Sequence, residues 1–184
     1  MKRNGVLNGK DRNIVFGTIA GMAGGLAASW VMNLFIEGVT QAKEKIKEPE
    51  PPTAAEQAGS KDSGEEPEDA TQKVADAFVY SSTGEHLSKE KKKKAGPAVH
   101  YAFGSLMGAV YGAVAEYSPA SRIGLGTLFG TALFVGADEI AVPALGLGDP
   151  PTQVPMSDQA IHLAAHWVYG ATTELVRRGC RSLM

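Results

Sequence analysis

Residues 14–36, IVFGTIAGMAGGLAASWVMNLFI, run for 23 residues without a charged side chain. A helix rises 1.5 Å per residue, so roughly 20 apolar residues cross a hydrocarbon core of about 30 Å. The rival reading is a cleaved leader, with a basic start, an apolar stretch and small residues at Leu26-Ala27-Ala28-Ser29. Against it, the stretch is long for a leader and stays apolar beyond those small residues.

The rest of the chain repeats this separation of oil and charge. Mean hydropathy is an ordinary −0.11, but the 18 Lys and Arg fall in four places. They are Lys2, Arg3, Lys10 and Arg12; ten lysines from Lys43 to Lys94; Arg122; and Arg177, Arg178 and Arg181. None lies in 13–42, 95–121 or 123–176. A soluble helix puts cations on its wet face, and these segments have none to put there. The expectation is an all-α, polytopic membrane bundle of about four transmembrane helices.

The chain divides into a basic N-terminus with the first span (1–36), a polar loop (37–96) and a three-span segment (97–184). Span two is read at 97–117, with Pro97 in its first turn, where a missing N–H costs nothing. Span three is read at 122–142 and span four at 158–176. In the loop, 48–69 is rich in Pro, Glu, Gly and Ser and reads as disordered. Asp69 and Gln72 have capping-box spacing, and Val74, Ala77, Phe78 and Ser81 follow at helical intervals before Gly84. This predicts a short amphipathic helix, with a second from Ser88 carrying the run Lys91 to Lys94.

In lipid, helices associate through close backbone approach at small residues. Gly17, Gly21, Gly25, Ser29 and Asn33 form an i+4 series; so do Gly104, Gly108 and Gly112, and Gly126 with Gly130. These stripes predict tight packing, within one chain or between copies. A short repeat accompanies them. Residues 17–21 (GTIAG) resemble 126–130 (GTLFG), and 111–116 (YGAVAE) resemble 169–174 (YGATTE), so two parallel halves are expected.

Ionisable groups inside a bilayer face the bundle interior or water. With alternating spans, His100, Asp138, Glu139, His162, His166 and Glu37 fall toward one leaflet. Glu116, Glu174, Arg122, Arg177 and Arg178 fall toward the other. Histidine titrates near neutral pH, so a His–carboxylate cluster can relay or sense protons. The i, i+4 pair His162 and His166 also has a spacing that suits a metal, and plain cross-helix hydrogen bonding is the structural alternative. No Ser–His–Asp or Cys–His grouping, phosphate-binding loop or CxxC pair is present. Hence neither enzymatic activity nor a cofactor is expected, a metal-dependent membrane enzyme being the remaining catalytic option. The net charge of −2 argues against nucleic acid. The expected partners are the bilayer and, through the stripes, further copies of the chain.

Orientation is open. Both termini inside gathers the basic residues flanking spans one, three and four on the cytoplasmic side, but leaves ten loop lysines outside. A re-entrant first segment with three crossings is the further alternative.

The segments 96–112 (GPAVHYAFGSLMGAVYG), 136–147 (GADEIAVPALGL) and 164–178 (AAHWVYGATTELVRR) resemble the YagU-like family of uncharacterised bacterial inner-membrane proteins. The likeness covers spans two to four and, loosely, span one. It implies a multi-pass inner-membrane protein and no reaction, substrate or cofactor. Two functions follow as expectations: a non-enzymatic protein coupled to protons or cations through the polar cluster, in transport or envelope stress, or a scaffold that oligomerises through its glycines.

Overall fold

The computed structural model describes residues 13–46 and 68–183. The N-terminal cations and most of the segment read as disordered lie outside those residues. Among the described residues the chain is helical, with no strand. Helix α1 covers Ile14–Ile46. Helix α2 covers Ala70–Thr83 and α3 covers Lys89–Tyr117. A 3-10 segment, Pro119–Gly126, leads into α4, Thr127–Leu133, which continues as a π-helical stretch, Phe134–Ala141, and one α-turn, Val142–Ala144. Helix α5 covers Met156–Ser182.

Helix α1 is the centre of the bundle, packed against α3 on one side and α5 on the other; α4 lies on α5. The α1–α3 seam is antiparallel, and its glycines interlock. A Cβ on Gly21 would strike the Gly108 carbonyl and come within 2.7 Å of the Gly112 Cα. One on Gly108 would come within 2.6 Å of the Gly25 Cα, and Gly17 abuts Gly112 in the same register. A second face of α1 meets α5, where a Cβ on Gly24 would lie 2.7 Å from the Thr173 carbonyl. Ala28, Met32, Ala165 and Tyr169 fill the rest of that seam. The glycine stripes thus make close contacts within one chain.

The surface is inverted relative to a soluble protein. Ile19, Leu26 and Trp30 of α1 and Leu106, Val110 and Val114 of α3 are exposed, while Glu116, Glu174 and Arg177 are buried. An apolar exterior over a charged interior fits lipid as solvent. Three segments, Ile14–Ile46, Lys89–Tyr117 and Pro119–Ala144, are long and apolar enough to cross a membrane. Helix α5 falls short on composition because its polar residues, His166, Thr173, Glu174 and Arg177, are turned into the bundle.

Several expected boundaries shift. Helix α1 runs ten residues beyond Ile36, and Lys43 ties that extension to Asp158 at the start of α5, 2.8 Å away. The lysine run is not a separate helix: α3 starts at Lys89, after Ser88, and Pro97 lies inside it. Two contacts hold the extra turns. Gly96 abuts Thr71 and Gln72 of α2, and Lys92 bonds Glu68 and Asp76 at 3.1 and 3.0 Å. Arg122 is outside the third span's helix, because Ile123, Gly124 and Leu125 have non-helical backbone.

Helix α2 begins and ends as its sequence signals. The Gln72 amide donates to Asp69 Oδ1 at 2.8 Å, and Gly84 closes the helix with φ 75°. The box is half-formed, since the Gln72 side chain bonds the Asp69 carboxylate rather than its amide.

Two outcomes follow from this packing. Gly21→Ala forces α1 and α3 apart and should cost about 1–3 kcal/mol of stability in detergent, as overpacking does. Gly38→Ala, in open space, is the control expected to cost nothing measurable. Asp76 supplies the second outcome. Burial pushes its carboxyl upward, but bonds from His86, the Leu87 amide and Lys92 outweigh that and hold it at about 2, below the ordinary 3.8. The docked state therefore binds the ionised carboxylate. Docking of α2 should be at full strength above the ordinary value and weaken as pH falls toward 2, seen as faster amide exchange in α2; Asp76→Asn should remove that pH dependence.

Candidate functional site

The α1–α5 and α4–α5 seams open into a cavity of about 620 Å³ at one end of the bundle. All five residues of the expected cluster, His100, Asp138, Glu139, His162 and His166, line it. Glu37 does not; it is exposed on α1. The aqueous end is roofed by the start of α2 and by the loop before α5. Lys73 of α2 ties the two by bonding the Leu147 carbonyl at 2.9 Å.

The carboxylates reach the cavity because of a local backbone change. Pro143 has no N–H, so the Glu139 carbonyl loses its α-helical partner, four residues on. The ladder shifts instead to i+5 bonds, as from the Val142 amide to the Ala137 carbonyl. This wider turn brings the neighbours Asp138 and Glu139 both onto the cavity wall.

Both α5 histidines face Asp138. Its Oδ2 is 3.7 Å from His166 Nε2 and 3.9 Å from His162 Nδ1, just beyond the length of a direct hydrogen bond. His166 Nδ1 lies 2.9 Å from the His162 carbonyl. A carbonyl only accepts, so Nδ1 carries a hydrogen and Nε2 is left as the one position where this ring gains or loses a proton. That position faces a carboxylate. His100 Nε2, on the opposite wall, is buried without a hydrogen-bond partner. For a metal the arrangement is poor. Among the described residues no group of three or more His, Cys, Asp or Glu is placed to hold one.

The floor is aromatic. The Tyr169 hydroxyl donates to the Gly104 carbonyl, and Phe129 bridges Tyr169 to Tyr111 at centroid distances of 6.2 and 4.6 Å. Beyond it lies a charged network that sequence reasoning placed at the right depth but did not single out. Glu174, fully buried, accepts from Arg177 at 2.7 and 3.0 Å, from Arg178 at 2.6 Å and from Tyr111 at 2.9 Å. Glu116 meets Arg181 at 3.0 Å and accepts from the Asn13 amide at 3.3 Å. The available signal was the i+3 and i+4 spacing of Arg177 and Arg178 from Glu174.

The internal repeat of the sequence reappears in the packing. Gly17 abuts Gly112 and Glu116, and Gly126 abuts Gly170 and Glu174, so the repeated segments make repeated contacts. Extending the match sets Gly104 against His162, Gly108 against His166 and Ser29 against Asp138. In the first half Gly21 and Gly25 close onto Gly108 and Gly104. In the second, Gly130 meets the His166 backbone and Phe134 meets its ring, 5.6 Å between centroids.

The closed end makes its own prediction. Glu174→Leu leaves Arg177 buried with one partner fewer and should destabilise the protein by about 3–5 kcal/mol, measured by thermal unfolding in detergent. A cost under about 1 kcal/mol would mean the network is not holding the helices.

Residues 43–175, from the end of α1 into α5, match the family described as Protein of unknown function (DUF1440). Comparison with curated proteins and with solved structures gives no match. The match spans well over half of the sequence, and the chain belongs to the DUF1440 family.

Proposed function

We propose that this chain is a non-enzymatic, multi-pass protein of the bacterial inner membrane, of the YagU-like kind, that couples to protons or cations through the His–carboxylate cavity. One observation carries the reading: His166 Nε2, the ring nitrogen not engaged by the His162 carbonyl, faces Asp138 3.7 Å away on the cavity wall. A carboxylate lining a cavity and faced by histidines rather than a fixed cation exchanges its partner readily, and in membrane proteins such groups mark ion and proton routes. With both termini cytoplasmic, the cavity opens to the opposite side, and the Glu116–Glu174–arginine network seals the cytoplasmic end. The reading needs no cofactor.

The test uses the full chain in sealed vesicles under a pH gradient. Wild type should pass protons or monovalent cations above the leak of protein-free vesicles, at a pH-dependent rate. Replacing His100, His162 and His166 together with Asn should reduce the rate to that leak, and Asp138→Asn alone should reduce it in part. A wild type no faster than empty vesicles sinks the reading, as does a triple variant with undiminished flux.

A further inference from the structure

The cavity is far larger than a proton relay requires, and we propose that it binds a small organic ammonium ion, its charged nitrogen at Asp138 and Glu139 and its apolar body against Met32, Ile36 and Leu133. The inference rests on the preceding reading for the choice of cavity, not for the movement of protons.

Size is the first argument. About 620 Å³ falls within the roughly 300–1,000 Å³ of pockets that hold small molecules. Charge is the second. Carboxylates line the cavity from three elements: Asp69 before α2, Asp138 and Glu139 on the π-helical stretch, and Asp149 in the loop before α5. Among the described residues no Lys or Arg lines it, and the other titratable groups there are Tyr169 and three histidines, which carry charge only when protonated. Asp69 is already engaged with the Gln72 amide and the Thr71 hydroxyl, so Asp138, Glu139 and Asp149 carry the excess.

The kind of cation follows from what surrounds those carboxylates. A bare divalent ion wants six or more oxygen ligands, or a tight set of His and carboxylate groups. The described residues offer no such set. The walls between the acids are instead aliphatic, from Met32 and Ile36 on α1 to Leu133 and Val142 opposite. An ammonium group on an apolar frame fits both surfaces: its N–H groups pair with carboxylate, and its carbon body covers wall that water wets poorly. His100 Nε2, buried and unpartnered on that wall, would accept a further N–H from such a ligand.

Equilibrium binding to the full chain in lipid nanodiscs, read by titration calorimetry without any gradient, tests this. The probe is 2-phenylethylammonium, with 2-phenylethanol and phenylacetate as neutral and anionic molecules of similar shape. The ammonium should bind saturably, and the other two at least about tenfold more weakly. Asp138→Asn with Glu139→Gln should weaken the ammonium by about tenfold or more. Should that pair not fold, Met32→Trp fills the cavity from its apolar side and should abolish binding. No saturable binding of the ammonium, equal affinity for the alcohol, or unchanged affinity in the folded variants overturns the proposal. A protein that binds the probe but passes no protons sinks the earlier reading alone; one that passes protons and ignores the probe sinks only this one.

Discussion

Everything in this fold depends on how closely α1 approaches its neighbours. Lipid tails are as apolar as leucine, so no hydrophobic gain drives one span onto another. What remains is van der Waals contact and polar pairing, and both need backbones near each other. Gly17, Gly21 and Gly25 let α1 meet α3 with peptide groups touching, and Gly24 does the same for α5. Side chains of ordinary size at those points would move the axes apart and, with them, every polar pair that spans two helices. The Asn13 amide would leave Glu116, and Tyr111 would leave Glu174.

That constraint also sets where polar groups survive. Between the two ends, the Ser29, Thr173 and Tyr169 hydroxyls bond to backbone carbonyls, as the Ser29 hydroxyl does to Gly25 at 3.0 Å and the Thr173 hydroxyl to Tyr169 at 2.8 Å. The ends hold the ionisable groups, with the ring layer of Tyr169, Phe129 and Tyr111 between them. The cavity therefore ends partway along the bundle rather than passing through it.

The helical architecture could be read in advance because its signals are local. A charge-free run of 23 residues, an i+4 glycine series and the pair Asp69 and Gly84 each act over a few turns. The grouping of His100, Asp138, Glu139, His162 and His166 rests on the same kind of signal, since alternating spans assign residues to an end without any knowledge of packing. What depended on contacts between distant segments was not readable. The lysine run joined α3 because Lys92 meets Asp76 and Glu68 on another element. Pro97 reads as a helix start only while those contacts are unknown. The π-helical stretch was hidden because Pro143 acts on residues upstream of itself, where the sequence looks like an ordinary span. Helix α5 scores poorly for membrane crossing on composition, since hydropathy cannot tell an inward-facing Glu174 from one facing lipid.

The contrast between the two ends separates structure from function more sharply than either end alone. At the closed end all four carboxylate oxygens of Glu116 and Glu174 have donors, and three of the partners are guanidinium groups that do not lose their charge. A fully compensated network of that kind has one charge state and one geometry, and it serves to hold helices. At the open end the ratio is reversed. Asp138 faces His166 and His162, at 3.7 and 3.9 Å, and a histidine carries a charge only when conditions supply the proton. The same chain thus places carboxylates in two ways, one buried with permanent cations and one on a cavity wall with conditional ones. Only the second can change its charge while the helices stay in place, and it is the one that borders a cavity.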